Sequence, residues 1–277
     1  MRKDRKSLTV KYILFVFLAN QFLITDLSAL TLGVVPQQSP FKLMKVWLPV
    51  ARYLEQKTGE KVILKIERSI PVFEKVLYEG GYDLAYMSPY HYIQANKKQS
   101  YKAVIRDSKD IVGILVVNKK SKIKDVWMVD EKTFLFPTSD AFASTLLTKY
   151  ELLKNYNIDV DAQGKFRYVN SHDSVYKGVA RGVGDVGGGI ERTFNNLGDK
   201  ETKNSLKILY RTKKYPSHPF ACKPSMSKKV RKKFVSALLG MPKKLLDSLS
   251  MKKMIKTDDA EYDVVRDVIK KLRLEKN

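Results

Sequence analysis

The turn from Ser139 to Ser144 contains the residue types that hold an anion. It follows an apolar segment and precedes a stretch with helical periodicity, so it should open a helix. The first backbone N–H groups of a helix lack intrahelical partners, and the helix dipole adds positive potential there, so such groups bind oxyanions. Ala141 and Ala143 are small enough for an anion to approach the backbone, and Ser139 or Ser144 can donate a hydroxyl. The alternative is that Ser139 or Asp140 only caps the helix.

Three further side chains have suitable chemistry for an anion. His172 precedes a second helical stretch and can donate as a neutral tautomer, or become cationic near a dianion; otherwise it is a polar cap. Gln37 lies in a loop where its amide can donate, although a solvated turn is an alternative. Arg192 follows a run of glycines, and its guanidinium can bind an oxyanion through two parallel hydrogen bonds. It could equally be a surface residue beside Glu191.

The sequence carries no pattern typical of a metal centre or of an enzyme. The three histidines, His91, His172 and His218, are far apart, and there is no CxxC or HExxH spacing. We find no GxSxG motif, P-loop or paired carboxylates in a supporting context. We therefore expect no metal, no cofactor and no catalytic residue. Cys222 is the only cysteine, so an internal disulfide is excluded.

The first 29 residues have the three parts of an export signal. A basic stretch is followed by an apolar run of 12 residues from Ile13 to Ile24, and Ala29 precedes Leu30. A retained membrane anchor is the alternative, but a spanning helix needs about 20 apolar residues. A lipid anchor would need a cysteine at the cleavage point, where none occurs. We therefore predict cleavage after Ala29 and a protein that is free in the periplasm.

The chain has a formal net charge of +23, which stays strongly positive when residues 1–29 are set aside. A positive field attracts anions of every kind, from small oxyanions to nucleic acid and anionic lipid. The lysines are scattered rather than gathered in one tract, which is also typical of solvated faces. We expect no nucleic-acid partner, and polyanion binding remains an alternative.

Short apolar strands alternate with helical patterns along the chain, which predicts βαβ units and an α/β fold. Predicted strands are 30–35, 62–66, 83–87, 111–117, 134–136, 165–169, 185–187 and 206–210. Predicted helices are 41–57, one beginning at 69–71, 142–155, 174–181 and a helical region from 228 onward. We find no repeat, low-complexity segment or long linker, which argues against tandem modules.

A series of motifs then occurs in one order along the chain. They are LGVVP (32–36), LPVARYL (48–54) before Thr58-Gly59, YDLAYMSPY (82–90), FPTSDAFAS (136–144), SHDSV (171–175) and GVGDVG (182–187). In this order they resemble the periplasmic substrate-binding proteins of phosphate, phosphite and phosphonate ABC transporters. The resemblance covers nearly the whole chain after residue 29.

The resemblance implies a two-lobed type 2 periplasmic binding protein fold, each lobe a mostly parallel sheet flanked by helices. Residues 30–112 and 208–277 would form the first lobe, with the carboxyl-terminal helices, and residues 113–207 the second. Two strand crossovers would form the hinge. The ligand would lie in the cleft between the lobes, which Ser88 and Tyr90 would face from the first lobe.

The resemblance also implies a function: capture of a small oxyanion and delivery to an inner-membrane ABC permease, by a protein that we expect to be monomeric. The candidate ligand-binding residues are Gln37, Ser88, Tyr90, Ser139, Ala141, Phe142, Ala143, His172 and Arg192. Phosphonate binders of this family have a turn that resembles Ser-Thr-Ser-Gly, where this chain has Ala141-Phe142-Ala143-Ser144. Two hydroxyl donors are therefore replaced, and the backbone donors are retained. The alternative is a periplasmic sensor that signals ligand state to a membrane partner.

Overall fold

The computed structural model describes residues 29–272 of the 277-residue chain. They build two mixed β-sheets, each flanked by helices, in two lobes. The predicted signal peptide lies outside the described residues, apart from Ala29 itself. Between residues 29 and 272, no helix combines the length and the apolar character needed to cross a bilayer.

The strands follow the apolar runs of the sequence. They are β1 (Leu30–Val34), β2 (Val62–Ile66), β3 (Leu84–Tyr86), β4 (Lys102–Asp107), β5 (Ile111–Asn118), β6 (Phe134–Phe136), β7 (Phe166–Tyr168), β8 (Val186–Ile190), β9 (Leu206–Tyr215), β10 (Pro219–Cys222) and β11 (Met254–Lys256). Strands β3, β6, β8 and β10 are buried along their whole length, as expected for strands covered by helices on both faces.

The helices cover both faces of the sheets. They are α1 (Pro40–Thr58), α2 (Ile70–Tyr78), α3 (Pro89–Gln99), α4 (Leu147–Tyr156), α5 (Val160–Gln163), α6 (His172–Ala180), α7 (Glu191–Asn195), α8 (Lys200–Ser205), α9 (Lys228–Leu239), α10 (Lys243–Ser248) and α11 (Asp263–Lys271). A π-helical turn, Phe142–Leu146, leads into α4. Helix α1 buries Leu43, Trp47, Val50 and Leu54, a helical spacing that forms one apolar face, and ends at Gly59 in the left-handed conformation.

The strand order is β11-β4-β10-β3-β1-β2 in the first sheet and β7-β6-β8-β5-β9 in the second. Strand β1 is parallel to β2 and β3, whereas β10 is antiparallel to β3 and β4. In the second sheet β6 is parallel to β7 and β8, whereas β5 is antiparallel to β8 and β9. The sheets are therefore mixed rather than mostly parallel as predicted, because the chain enters and leaves the second lobe through two neighbouring antiparallel strands.

The two lobes are joined where β4 continues into β5 and where β9 continues into β10. The predicted boundaries at 112/113 and 207/208 lie inside β5 and β9, both of which pair wholly within the second sheet. The sheets instead divide at residues 108–110 and 216–218, because pairing between β5 and β9 extends to Ile111 and Tyr215. The two connections lie side by side: the Ser217 hydroxyl donates to the Asp107 carbonyl at 2.8 Å.

Candidate functional site

A small cavity of about 10 Å³ lies between the two lobes, at the start of the π-helical turn. Both lobes contribute side chains to its wall. The first lobe provides Val35, Gln37, Ile70, Ser88, His91 and His218, and the second provides Ala141, Phe142, Ala143, Ser144, His172 and Ile190. We call this space the inner cavity.

The π-helical turn presents its amino-terminal end to the inner cavity. The backbone N–H of Thr145 is the first of the turn to donate to a carbonyl oxygen of the turn: it donates to that of Ala141 at 2.9 Å. The N–H groups of Phe142, Ala143 and Ser144 come earlier in the turn, where a helix offers no carbonyl to accept from them. These donors and the helix dipole favour a negative charge at this end.

Two glycines allow the turn to lie directly against the second sheet. A Cβ atom at Gly113 would lie 2.1 Å from the Ala143 carbonyl oxygen, and one at Gly188 would lie 2.1 Å from the Ser144 carbonyl oxygen. Both distances are far below van der Waals contact, so any larger residue would push the turn away. The glycines of β5 and β8 therefore fix the position of the backbone of the π-helical turn.

His172 is buried at the first position of α6 and reaches the inner cavity from the second lobe. Its Nδ1 lies 3.0 Å from the Thr193 hydroxyl, which also bonds the Tyr176 hydroxyl at 2.8 Å. Its Nε2 is buried and has no hydrogen-bond partner within the described chain. Burial, with the charge of Arg192, lowers the pKa of His172 to about 3, so the ring is neutral at pH 7.

Two other residues that line the inner cavity also have a buried polar atom without a hydrogen-bond partner in the described chain. The Ser144 hydroxyl oxygen and His91 Nδ1 are buried and have no partner among residues 29–272. His91 Nε2 is bound to Glu74 at 2.8 Å, which holds the ring in place. An unpaired buried polar group is costly, so three around one cavity indicate a polar ligand.

A second, larger pocket of about 330 Å³ lies beside the inner cavity and shares Val35 and Gln37 with its wall. We call it the outer pocket. The Gln37 amide nitrogen lies 3.0 Å from His218 Nε2, and its amide oxygen accepts from Arg192 at 3.4 Å. Arg192 also donates to the Tyr86 hydroxyl at 2.8 Å, which joins the two lobes. Burial lowers the pKa of His218 well below its ordinary value, with Arg192 as a further cause.

Six of the nine predicted site residues line the inner cavity: Gln37, Ser88, Ala141, Phe142, Ala143 and His172. The other three lie elsewhere. Ser139 is exposed because it precedes the π-helical turn, which begins after Ala141. The serine that lines the cavity is Ser144, inside the turn. The centroid of the Tyr90 ring lies 6.4 Å from that of the His91 ring, and Tyr90 does not line the inner cavity. Arg192 lines the outer pocket.

Sequence reasoning missed His91 and His218 as members of the predicted site. It named Ser144 only as an alternative to Ser139 as a hydroxyl donor, and not among the nine predicted residues. Ser144 is the last residue of the predicted 139–144 segment. Its position in the first turn of the helix is the pattern that indicates it as a site residue. His91 directly follows the predicted Ser88–Tyr90 segment, where the Ser88 hydroxyl caps α3 by accepting from the His91 N–H at 3.2 Å. His218 lies in a crossover between lobes, and nothing in its neighbouring sequence indicates a site.

Glu74, His91 and Asp140 form a polar cluster at the lobe interface, with one ligating atom of each within 4.8 Å of the others. These are residue types that could hold a cation, although no metal was expected from the sequence. The pKa of Glu74 is raised by burial and, in part, by Asp140. Burial raises that of Asp140 too, but the hydrogen bond with Glu74 and the charge of His91 outweigh it and lower the pKa. The environment of this cluster therefore favours the protonated form of Glu74 relative to that of Asp140.

A protein-family comparison decides what kind of cleft this is. The family described as the periplasmic substrate-binding protein of phosphonate ABC transporters matches residues 32–262. The chain belongs to this family. Its members take part in transport and are not enzymes, which confirms the predicted family and the absence of catalysis. The family is periplasmic, and a secretory signal at residues 1–29 is consistent with that location.

Solved structures of phosphonate-binding proteins share the fold. PhnD1 from Prochlorococcus marinus, in complex with methylphosphonate, is 18% identical, with a TM-score of 0.82 over 89% of this chain and 99% of that one. A binding component of a phosphonate ABC transporter from Pseudomonas aeruginosa is 18% identical, with a TM-score of 0.79 over 87% and 85%. A Xanthomonas citri protein bound to ATP is 15% identical, with a TM-score of 0.68 over 90% and 100%. These similarities confirm the two-lobed periplasmic binding protein fold.

Proposed function

We propose that this protein captures a small oxyanion of the phosphonate, phosphite or phosphate class in the inner cavity and delivers it to an inner-membrane ABC permease. One observation carries the proposal: three residues that line the inner cavity together with the amino-terminal end of the π-helical turn, His91, Ser144 and His172, each have a buried polar atom with no partner among residues 29–272. An oxyanion offers several acceptor oxygens, and a monoprotonated one also offers a hydroxyl, so both donors and acceptors of the cavity would be satisfied.

The proposed contacts divide into backbone and side-chain donors. The N–H groups of Phe142, Ala143 and Ser144 would bind the anion at the helix terminus. His172, neutral at pH 7, can donate or accept through Nε2, because the Thr193 hydroxyl can bond either tautomer at Nδ1. Gln37 would contribute its amide from the first lobe. The methylphosphonate complex of the structurally similar Prochlorococcus protein supports this ligand class.

Binding would hold the two lobes together. Ligand contacts come from both lobes, so an anion bound to both stabilises the closed arrangement around the connections at residues 108–110 and 216–218. The permease would recognise this closed form. We further propose that the predicted signal peptide is cleaved and that the protein diffuses in the periplasm as a monomer, where the positive net charge would speed encounter with anions.

The proposal is tested by isothermal titration of residues 30–277 with methylphosphonate, phosphite, phosphate and sulfate. We expect saturable binding of at least one phosphorus oxyanion, and a rise of the melting temperature, since ligands that bind only the folded state stabilise it. Sulfate is the control for a nonspecific effect of the positive charge. No binding of any phosphorus oxyanion, or equal binding of sulfate that disappears at physiological salt, would contradict the proposal.

A further inference from the structure

The outer pocket has a volume of about 330 Å³ and lies between the lobes. Residues of the first lobe, among them Gln38, Lys42, Lys45, Trp47 and Ser250, form one side, and Arg192 and Asn196 form the other. The Asn196 amide donates to the Ser250 hydroxyl at 2.6 Å, so the pocket is bounded by contacts between the lobes. It adjoins the inner cavity through Val35 and Gln37, which line both spaces.

The charges around this pocket are all of one sign. Lys42, Lys45 and Arg192 line it, and no aspartate or glutamate of the described chain does. Lys42 has a partner outside the wall, the Asp173 carboxylate at 2.7 Å. Lys45 and Arg192 form no ion pair with any carboxylate of residues 29–272.

Arg192 is the important cation because it is partly buried. Its hydrogen bonds are to neutral groups, the Tyr86 hydroxyl at 2.8 Å and the Gln37 amide at 3.4 Å. A desolvated charge without a counter-ion is unfavourable, and a guanidinium has donors suited to a carboxylate or phosphonate. The Gln37 contact is long, so its replacement by a ligand group would cost little.

We infer that the ligand is a phosphonate that carries a second acidic group, which lies in the outer pocket against Arg192. This inference rests on the proposed function, since the phosphonate end would occupy the inner cavity. The side chain between the two acids would pass Gln37, and Lys45 would add positive charge at the rim. The second acid would supply the counter-ion that residues 29–272 do not.

A series of short phosphonates whose substituents differ in charge tests the inference. Isothermal titration would compare phosphonoacetate, ethylphosphonate and aminomethylphosphonate, whose substituents are acidic, apolar and cationic. We expect phosphonoacetate to bind at least about tenfold more tightly than ethylphosphonate, because the ethyl group cannot form a charge-assisted hydrogen bond with Arg192. Aminomethylphosphonate should bind weakest, because its ammonium group is repelled by Arg192. Phosphonopropionate, with a longer chain between its two acids, tests how affinity depends on their separation. Methylenebisphosphonate tests whether a second phosphonate can replace the carboxylate.

The variant Arg192→Gln should reduce the phosphonoacetate-to-ethylphosphonate affinity ratio to nearly one. Arg167→Gln is the matched control, because Arg167 is an exposed arginine on β7 of the same lobe, outside the pocket wall, and its loss should leave the ratio unchanged. If ethylphosphonate or the amine binds as tightly as phosphonoacetate, the inference is wrong while the proposed function stands. If no phosphonate of the series binds, the proposed function itself fails.

Discussion

At the residue scale, the chemistry of the inner cavity depends on how the histidines are held rather than on their charge. His172 and His218 are both buried, and burial lowers both pKa values, to about 3 for His172. Neither ring is therefore a cation at pH 7. The positive potential comes instead from the helix terminus and from Arg192, and His172 contributes a directed neutral donor or acceptor.

The substitution His172→Ala should weaken phosphonate affinity more than tenfold, because a hydrogen bond to a charged group contributes about 1.5–3 kcal/mol. It should also lower the melting temperature, since it removes a buried ring and one of the hydrogen bonds of the Thr193 hydroxyl, which keeps its bonds to Tyr176 and to the Ile190 carbonyl. Titration and thermal unfolding would measure the two effects.

The control for His172→Ala is Tyr176→Phe. This variant removes a hydroxyl from the same hydrogen-bond network but no atom from the cavity wall. It should lower stability and leave affinity nearly unchanged. Equal losses of affinity in the two variants would show that His172 acts only through the packing of its lobe.

The low pKa of His172 has a consequence for stability. A histidine whose pKa is lowered on folding contributes stability that is present above its ordinary pKa near 6.5 and is lost as the pH falls toward about 3. The second lobe should therefore lose stability on acidification, in addition to any loss from its carboxylates.

The residues of the site were predictable from the sequence only where a local pattern marks them. The turn from Ala141 to Ala143 and the position of His172 follow from strand-to-helix boundaries, which periodicity shows. Whether Ser139 or Ser144 faces the ligand depends on where the helix begins, and such boundaries are the least certain feature of a sequence. Arg192 was recognised, but its separation from the inner cavity depends on contacts with Tyr86 and Gln37 from the other lobe.

At the element scale, strands with continuous apolar runs were predicted well and others were missed. Strands β2 and β6 have the predicted bounds. Strand β4 has only three consecutive apolar residues, Ala103–Ile105, between charged ones, so neither a long apolar run nor an alternation marks it. Strands β10 and β11 have only four and three residues, too few to show a period. Their pairing partners are distant in sequence, so only the folded first sheet defines them. Helix α3 was missed because its buried residues include polar ones, among them His91.

The position of the π-helical turn depends on glycine in the strand beneath it. The substitution Gly188→Ala would place a Cβ atom 2.1 Å from the Ser144 carbonyl oxygen and 2.5 Å from the Phe136 ring. The turn or the strand must move, so we expect a loss of about 1–3 kcal/mol in the free energy of unfolding and a weaker ligand affinity. Denaturant titration and isothermal titration would measure them.

The matched control is Gly198→Ala, where an added Cβ atom meets no heavy atom within 4 Å. It should change neither quantity. If Gly188→Ala lost stability with no change in affinity, the backbone of the turn would not be the anion site, and the side chains of the cavity would have to account for binding.

At the scale of the whole molecule, the lobes meet through both apolar and polar contacts. Phe142, Leu147 and Ile190 of the second lobe belong to the core cluster of the first lobe. One of the polar contacts includes carboxyl groups with shifted pKa values. The Lys42–Asp173 ion pair and the Arg192–Tyr86 hydrogen bond join them on the side of the outer pocket. Glu74 of α2 lies in one cluster with His91 and with Asp140, which precedes the π-helical turn; burial raises the pKa of Glu74, whereas the neighbours of Asp140 lower its pKa. These contacts hold the closed arrangement, so their protonation should affect ligand affinity.

The sign of this effect follows from the two pKa directions. Glu74, whose pKa is raised, stabilises closure while it is protonated, and that contribution is lost as the pH rises through its raised pKa. Asp140, whose pKa is lowered, contributes above the ordinary carboxyl pKa and loses its contribution as the pH falls through the lowered value. Closure should be most favourable between these two pKa values, where the pair carries one proton.

The variant Glu74→Gln should keep a neutral hydrogen-bond donor beside Asp140 and so remove the loss of affinity at high pH. Methylphosphonate affinity would be measured for wild type and variant from about pH 5 to about pH 9, a range that spans raised carboxyl pKa values. The ratio of the two affinities at each pH cancels the ionisation of the ligand. We expect this ratio to shift toward the variant as the pH rises. Glu79→Gln, at the exposed end of the same helix, should give a constant ratio. A constant ratio for Glu74→Gln as well would show that the protonation of Glu74 plays no part in closure.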